Sequence, residues 1–192
     1  MENESKWYSN EPSHGNVTYA VADSITNFCF INGITLRGHA IFWAVDQYVQ
    51  PWVQNLSNPA LTNAISNRLN SAVNHFKGTF VHWDVNNEML HGNFYGNRLG
   101  NGINPWMFQR ARALDPNVKL FVNDYNVVAG NETCLFRLLR RECPNGVFVL
   151  PKVRSRYSAV VHSVFPDTPQ DALLARIVQR STRKFINRDS LD

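Results

Sequence analysis

From Thr18 to Asn123 the chain alternates helix-like and strand-like stretches, each closed by a residue that cannot continue it. Thr18 is placed to cap a helix whose apolar positions Val21, Ile25, Phe28 and Cys29 follow helical spacing, and Gly33 closes it. Residues 34–43 then read as one strand. Asn58 is the expected N-cap of the next helix, with Pro59 at its first position. Leu61, Ile65, Leu69, Val73 and Phe76 share one face of that helix, and Gly78 ends it. Thr79-Phe80-Val81 leads a second strand. Asn104-Pro105 opens a helix running to about Leu114, and residues 118–123 form a third strand. Strand, helix, strand, helix in this rhythm predicts parallel βα units and an α/β fold. His39, Glu88 and Asn123 fall at or just beyond three successive strand ends, where a parallel barrel gathers its reactive side chains.

After Arg137 the rhythm weakens. Residues 147–150 read as a short strand stopped by Pro151, and Thr168-Pro169 reads as a helix start. The charge changes at the same place. Residues 1–136 carry 8 Lys/Arg against 10 Asp/Glu, whereas residues 137–192 carry 11 against 5. We therefore expect two regions, 1–136 with the βα pattern and 137–192 as a basic, divergent tail. Aromatics are thinly interspersed with the tail's arginines and form no recognised nucleic-acid motif, so a solvated charged face is the expectation there. No apolar run is long enough to span a bilayer, and Met1-Glu2-Asn3-Glu4 gives no sign of a signal peptide. Cys29, Cys134 and Cys143 form no CxxC pair, and no HExxH or comparable metal spacing occurs, so neither a metal nor a cofactor is expected. Asn16, Asn55 and Asn131 begin glycosylation sequons, which matter only in a secretory setting. The sequence leaves the oligomeric state open.

The residues with the clearest chemistry are His82-Trp83-Asp84-Val85-Asn86-Asn87-Glu88. A carboxyl group at a strand exit, with an amide beside it and aromatics near, is suited to general acid work on a departing oxygen. Asp84, just before the end of its strand, reads as a buried, hydrogen-bonded structural carboxylate. His82 and His91 read as satisfied polar residues.

These segments resemble, in order, glycoside hydrolase family ten, the retaining endo-1,4-β-xylanases, and above all its plant members. Glu2-Asn3-x-x-Lys6-Trp7, with Glu11-Pro12 and Gly15 behind it, is similar to the segment after that family's second barrel strand. Arg37-Gly38-His39 through Trp43 resembles its third-strand motif. Trp83-Asp84-Val85 with Asn87-Glu88 resembles the fourth-strand acid/base motif, and Asn123-Asp124-Tyr125-Asn126 the end of the fifth strand. Met89-Leu90-His91, Phe94-Tyr95 and Arg98-Leu99-Gly100 are similar to the plant branch. The resemblance covers about residues 1–128 and implies an incomplete (β/α)8 TIM barrel. It also implies roles. Glu88 would be the general acid, then the base; Asn87 and His39 would hold the sugar at the cleavage point. Glu2, Asn3 and Lys6 would grip the next sugar, Trp7, Trp43 and Trp83 would wall the cleft, and Tyr125 would line it. Xylan or xylo-oligosaccharide is the partner implied, and a secreted or cell-wall location.

A retaining glycosidase needs a second carboxylate as nucleophile. In the family resembled, it comes from a Thr-Glu-x-Asp motif, and the glutamates after Glu88, namely Glu132 and Glu142, stand in no such motif. Two further readings therefore stand beside the enzyme: a catalytically inactive xylo-oligosaccharide binder, and a truncated gene product.

Overall fold

The computed structural model describes residues 1–124 in full and the backbone of residues 147–149 and 159–164. Tyr125 and the helix expected from Thr168 lie outside the described residues. The elements follow in chain order as α1 (Trp7–Asn10), α2 (Ala20–Ile31), β1 (Leu36–Gly38), β2 (Phe42–Trp43), α3 (Pro51–Gln54) and α4 (Asn58–His75). Next come β3 (Phe80–Asp84), β4 (Asn86–Asn87), α5 (Phe94–Leu99), α6 (Ile103–Leu114), β5 (Lys119–Asp124), β6 (Val147–Val149) and β7 (Ala159–Val164).

The sheet order is β1-β3-β5-β7-β6. β1 pairs parallel with β3, and β3 with β5, each pair joined through a helix, as parallel neighbours require. β7 lies outside the region read as parallel βα units and runs antiparallel to both β5 and β6. The segment 150–158 between β6 and β7 is shorter than the dozen or so residues a parallel crossover takes.

The strand expected over residues 34–43 is two strands. β1 ends at Gly38, the His39–Ala40 peptide is cis, and β2 resumes at Phe42 in a separate two-stranded ladder with β4. Backbone bonds carry the pairing across the break: Ile41 N donates to Asp84 O at 2.9 Å and Phe42 N to Val85 O at 2.9 Å. The chain direction is therefore kept, and Trp43 is delivered beside Asn87.

Apolar spacing explains α4. Leu61, Ile65, Leu69, Val73 and Phe76 are all buried, facing Met107, Phe108 and Ala111 of α6 and Leu120 and Val122 of β5 in one core. The N-cap is Ser57 rather than Asn58. Asn58 sits inside the first turn, and its side chain is taken up by Arg98, whose Nε donates to Asn58 Oδ1 at 3.0 Å. Gly78 closes the helix at φ +74°, a region that glycine enters without a side-chain clash. α2, by contrast, starts one residue later than expected, with Tyr19 as N-cap and the Thr18 hydroxyl accepting from Ala20 N at 3.4 Å. Ala22 and Cys29 face inward, while Val21 and Phe28 are 65% and 61% exposed. Among the described residues, β1 has β3 as its single partner in the sheet.

One buried polar group ties the first ten residues to this scaffold. Arg68, on the inner face of α4, donates to Ser5 O at 2.5 Å, Asn10 Oδ1 at 2.9 Å and Ile41 O at 3.3 Å. Burial pushes its pKa down from the usual arginine value. The acceptors are two carbonyls and an amide oxygen, so the guanidinium acts as a three-way tether.

Candidate active site

Parallel strands lying side by side bring their C-terminal ends together, and here that geometry assembles the site. Trp43 pairs with Asn87 in the β2–β4 ladder, and Glu88 N donates to Asn123 O, at the end of β5, at 2.8 Å. Trp43, Asn87, Glu88 and Asn123 thus converge from three successive strands.

Glu88 has φ +55°, and it is the one non-glycine residue with positive φ among the described residues. The left-handed turn lifts its side chain off the strand. Its Oε2 accepts a bond from Trp43 Nε1 at 2.8 Å, which fixes the carboxyl group and leaves its second oxygen available. Behind it, His91 N and Gly92 N both donate to Glu88 O, at 3.1 and 2.9 Å. The turn is pressed against the loop carrying Trp43. A Cβ on Gly92 would stand 2.5 Å from Val45 Cα and 2.6 Å from Ala44 O, so a side chain there would push the two loops apart. Asp124 closes the far side, accepting from Leu90 N at 2.8 Å and contacting His91 Nδ1 at 2.5 Å.

Asn87 is buried, its amide meeting that of Asn123 at 2.8 Å. His39 is aimed by two devices. Ser5 exchanges bonds with its backbone, at 2.9 and 3.0 Å, and Asp84 Oδ2 holds Nδ1 at 2.8 Å, so Nε2 is the ring atom left to act. Asp84 is buried and also takes both Nε and Nη2 of Arg37. It is a structural carboxylate, as its place before the strand end implied. His82 packs edge-on to Phe121 at 4.9 Å.

Lys6 brings a positive charge into the same space. Its ammonium donates to Asn3 Oδ1 at 3.0 Å and lies 4.4 Å from the Trp43 ring centroid. Burial lowers its pKa, while Glu2, Glu88 and Glu4 act in the opposite direction. The Tyr8 hydroxyl also reaches Asn3 Oδ1, at 3.2 Å. Burial raises the pKa of that phenol, with Glu4 and Glu2 adding to it.

The tryptophans divide. Trp83 does not wall the cleft. It is 1% exposed, lying edge-on to Phe76 and Phe80, and its indole covers Gly38. The alternation of β3 turns it into the core while the loop beyond carries the site. Trp7 is also buried, edge-on to Phe42 at 5.5 Å and Trp52 at 5.6 Å, with Nε1 donating to Glu11 Oε2 at 2.8 Å. Trp43 stays at the site. Sequence reasoning missed Tyr48, which stacks on Trp43 with centroids 3.8 Å apart and planes at 21°. Its signal was slight: an aromatic five residues after Trp43 inside a polar turn. Glu2, Asn3, Lys6, His39, Asn87, Trp43 and Glu88 all remain candidates.

The arrangement has counterparts among known proteins. The profile of the family described as glycosyl hydrolase family 10 matches residues 1–147. The chain is 48% identical over 184 residues to the anti-sigma-I factor RsgI6 of Acetivibrio thermocellus, covering 94% of this chain and 23% of that protein. It is 51% identical over 128 residues to endo-1,4-beta-xylanase 1 of Arabidopsis thaliana, covering 67% of this chain and 14% of that protein. The crystal structure of a glycosylated endo-beta-1,4-xylanase from Gloeophyllum trabeum superposes with a TM-score of 0.65 at 30% identity, covering 73% of this chain and 46% of that one. The chain thus spans less than a quarter of the length of both curated relatives and about half of the solved one.

Proposed function

Since the chain belongs to glycosyl hydrolase family 10, we propose that its strand ends carry the acid/base side of a retaining endo-1,4-β-xylanase centre. Glu88 is the acid. Its free carboxyl oxygen protonates the departing glycosidic oxygen, and the resulting carboxylate then takes a proton from the attacking water. The observation that carries this reading is the fixed Glu88 carboxyl, held at 2.8 Å by Trp43 and set beside Asn87 at the joint end of three parallel strands. Asn87 and His39 hold the hydroxyls of the sugar at the cleavage point, where contacts that tighten in the transition state accelerate the reaction. Glu2, Asn3 and Lys6 hold the next sugar, and the low-dielectric surroundings of Lys6 strengthen its bonds to hydroxyl oxygens. Replacing Glu88 with Gln keeps the shape and removes the transferable proton. Release of reducing sugar from xylan should fall at least a hundredfold, and a variant that hydrolyses as well as the parent would end the proposal.

A second reading has its own support. Asp84 is committed to Arg37 and His39, and Asp124 to Leu90 and His91, so neither buried aspartate is a ready nucleophile. The same residues would then bind xylo-oligosaccharide without cleaving it. Calorimetry with xylo-oligosaccharides separates the two readings: heat of binding with no turnover favours the binder, and no heat at all removes both.

A further inference from the structure

We propose that Tyr48 is an additional sugar platform at the mouth of this cleft, taking one pyranose ring of a β-1,4-linked oligosaccharide on its outer face. The inference rests on the carbohydrate reading above and adds a contact that the roles given there do not contain.

The argument begins with Trp43, which cannot itself serve as a stacking surface. Tyr48 lies 3.8 Å from its ring centroid and the Lys6 ammonium 4.4 Å from it. A ring and an ammonium group at those distances have no room to share one face of an indole, so they cover opposite faces. The indole N–H is already given to Glu88. Trp43 is therefore a clamped positioning group for the carboxyl, and the stacking role passes outward to whatever covers it.

The cavity beside Lys6 is lined by several aromatics, and most of them have no free face. Trp7, Phe42 and Tyr95 are buried. Tyr8 and Tyr48 remain, 36% and 41% exposed, at the two ends of a row running Tyr8, Lys6, Trp43, Tyr48. Tyr48 is the better platform because one ring face is supported by Trp43 and its backbone is fixed. It ends a 3-10 turn, Asp46–Tyr48, in which Tyr48 N donates to Val45 O at 3.0 Å. Gln54 Nε2 braces that turn by donating to Asp46 O and Val49 O, at 3.0 and 2.7 Å. A rigid, half-exposed ring loses little freedom on binding and presents a flat apolar face to the C–H side of a pyranose.

The test is calorimetric titration of the full chain with xylo-oligosaccharides of increasing length, comparing Tyr48→Ala and Tyr48→Phe with the parent. Tyr48→Ala should bind the longer oligosaccharides about three- to tenfold more weakly, the range expected for one aromatic contact, and Tyr48→Phe within about twofold of the parent. Because Tyr48→Ala also bares Trp43, a second measurement on the parent guards against compensation. Intermolecular NOEs should connect Tyr48 ring protons to sugar C–H protons. Binding by the parent without those NOEs overturns the platform, whatever the affinity of Tyr48→Ala, and leaves the Glu88 site standing. No binding by the parent overturns both.

Discussion

Replacing Gly38 with Ala tests whether Trp83 is fixed in the core or free to move at the cleft. The added Cβ would lie 2.3 and 2.4 Å from Trp83 Cε3 and Cζ3 and 2.6 Å from Phe80 Cδ2. Carbon atoms normally settle about 3.5–4.0 Å apart, so the indole must retreat by more than about 1 Å. It has nowhere to go, because Phe80 lies 4.9 Å away edge-on and Phe76 6.0 Å away. Overpacking of this kind costs about 1–3 kcal/mol. The reduced entropy of the unfolded chain returns about 0.4–1 kcal/mol, since Gly38 is not in the left-handed region and alanine adds no backbone strain. With contacts this short the overpacking lies at the top of that range, so the net loss is about 2 kcal/mol, which for a domain of this size lowers the melting temperature by roughly 4–8 °C. Urea unfolding followed by near-UV circular dichroism reads the loss. In a double-mutant cycle, Trp83→Leu should relieve the clash, giving a coupling above about 0.5 kcal/mol. An unchanged midpoint for Gly38→Ala, or strict additivity in the cycle, would show that Trp83 swings aside freely and that the core assignment is mistaken.

Two further outcomes follow from buried and half-buried charges. Arg68→Met removes the tether and leaves three acceptors without their donor, so stability should fall by about 2–4 kcal/mol even after the buried charge is gone. Amide exchange in residues 1–10 should rise more than in α6, and uniform protection would contradict the tether. His82 has its pKa lowered by burial, then by Arg37 and Lys119, with Asp84 opposing. Its folded value lies below the unfolded one, so the unfolded chain holds more proton in that window and stability rises with pH across it. His82→Asn should flatten the dependence of melting temperature on pH between about 5 and 7, and an identical slope in both proteins would refute the assignment.

Much of this architecture was legible because each signal was local. The α4 stripe from Leu61 to Phe76 has a helical period and a glycine stop, and it folds as read. Asp84, expected just before a strand end, is the last residue of β3 and is buried and paired as expected. What stayed hidden depends on partners distant in the chain. The break at His39–Ala40 falls between two groups of strand formers that read as one strand, and the separate β2–β4 ladder that follows it shows only in three dimensions. Trp43 and Trp83 look alike in sequence, and the pleat of β3 together with the small residue at Gly38 decides that one is core and the other site. Tyr48 matters through a stack on Trp43 that no periodicity encodes.

The left-handed backbone at Glu88 has a bearing on how this position can change over time. A non-glycine residue there costs about 1 kcal/mol or more, and asparagine or glycine would occupy the same conformation with less strain. A lineage selected solely for a well-folded chain would drift toward those residues, and each such step would raise thermal stability while erasing the carboxyl group. Glutamate at position 88 is thus the less stable choice for the scaffold, and its presence sets the carboxyl group proposed as the acid and robustness against one another at a single backbone angle.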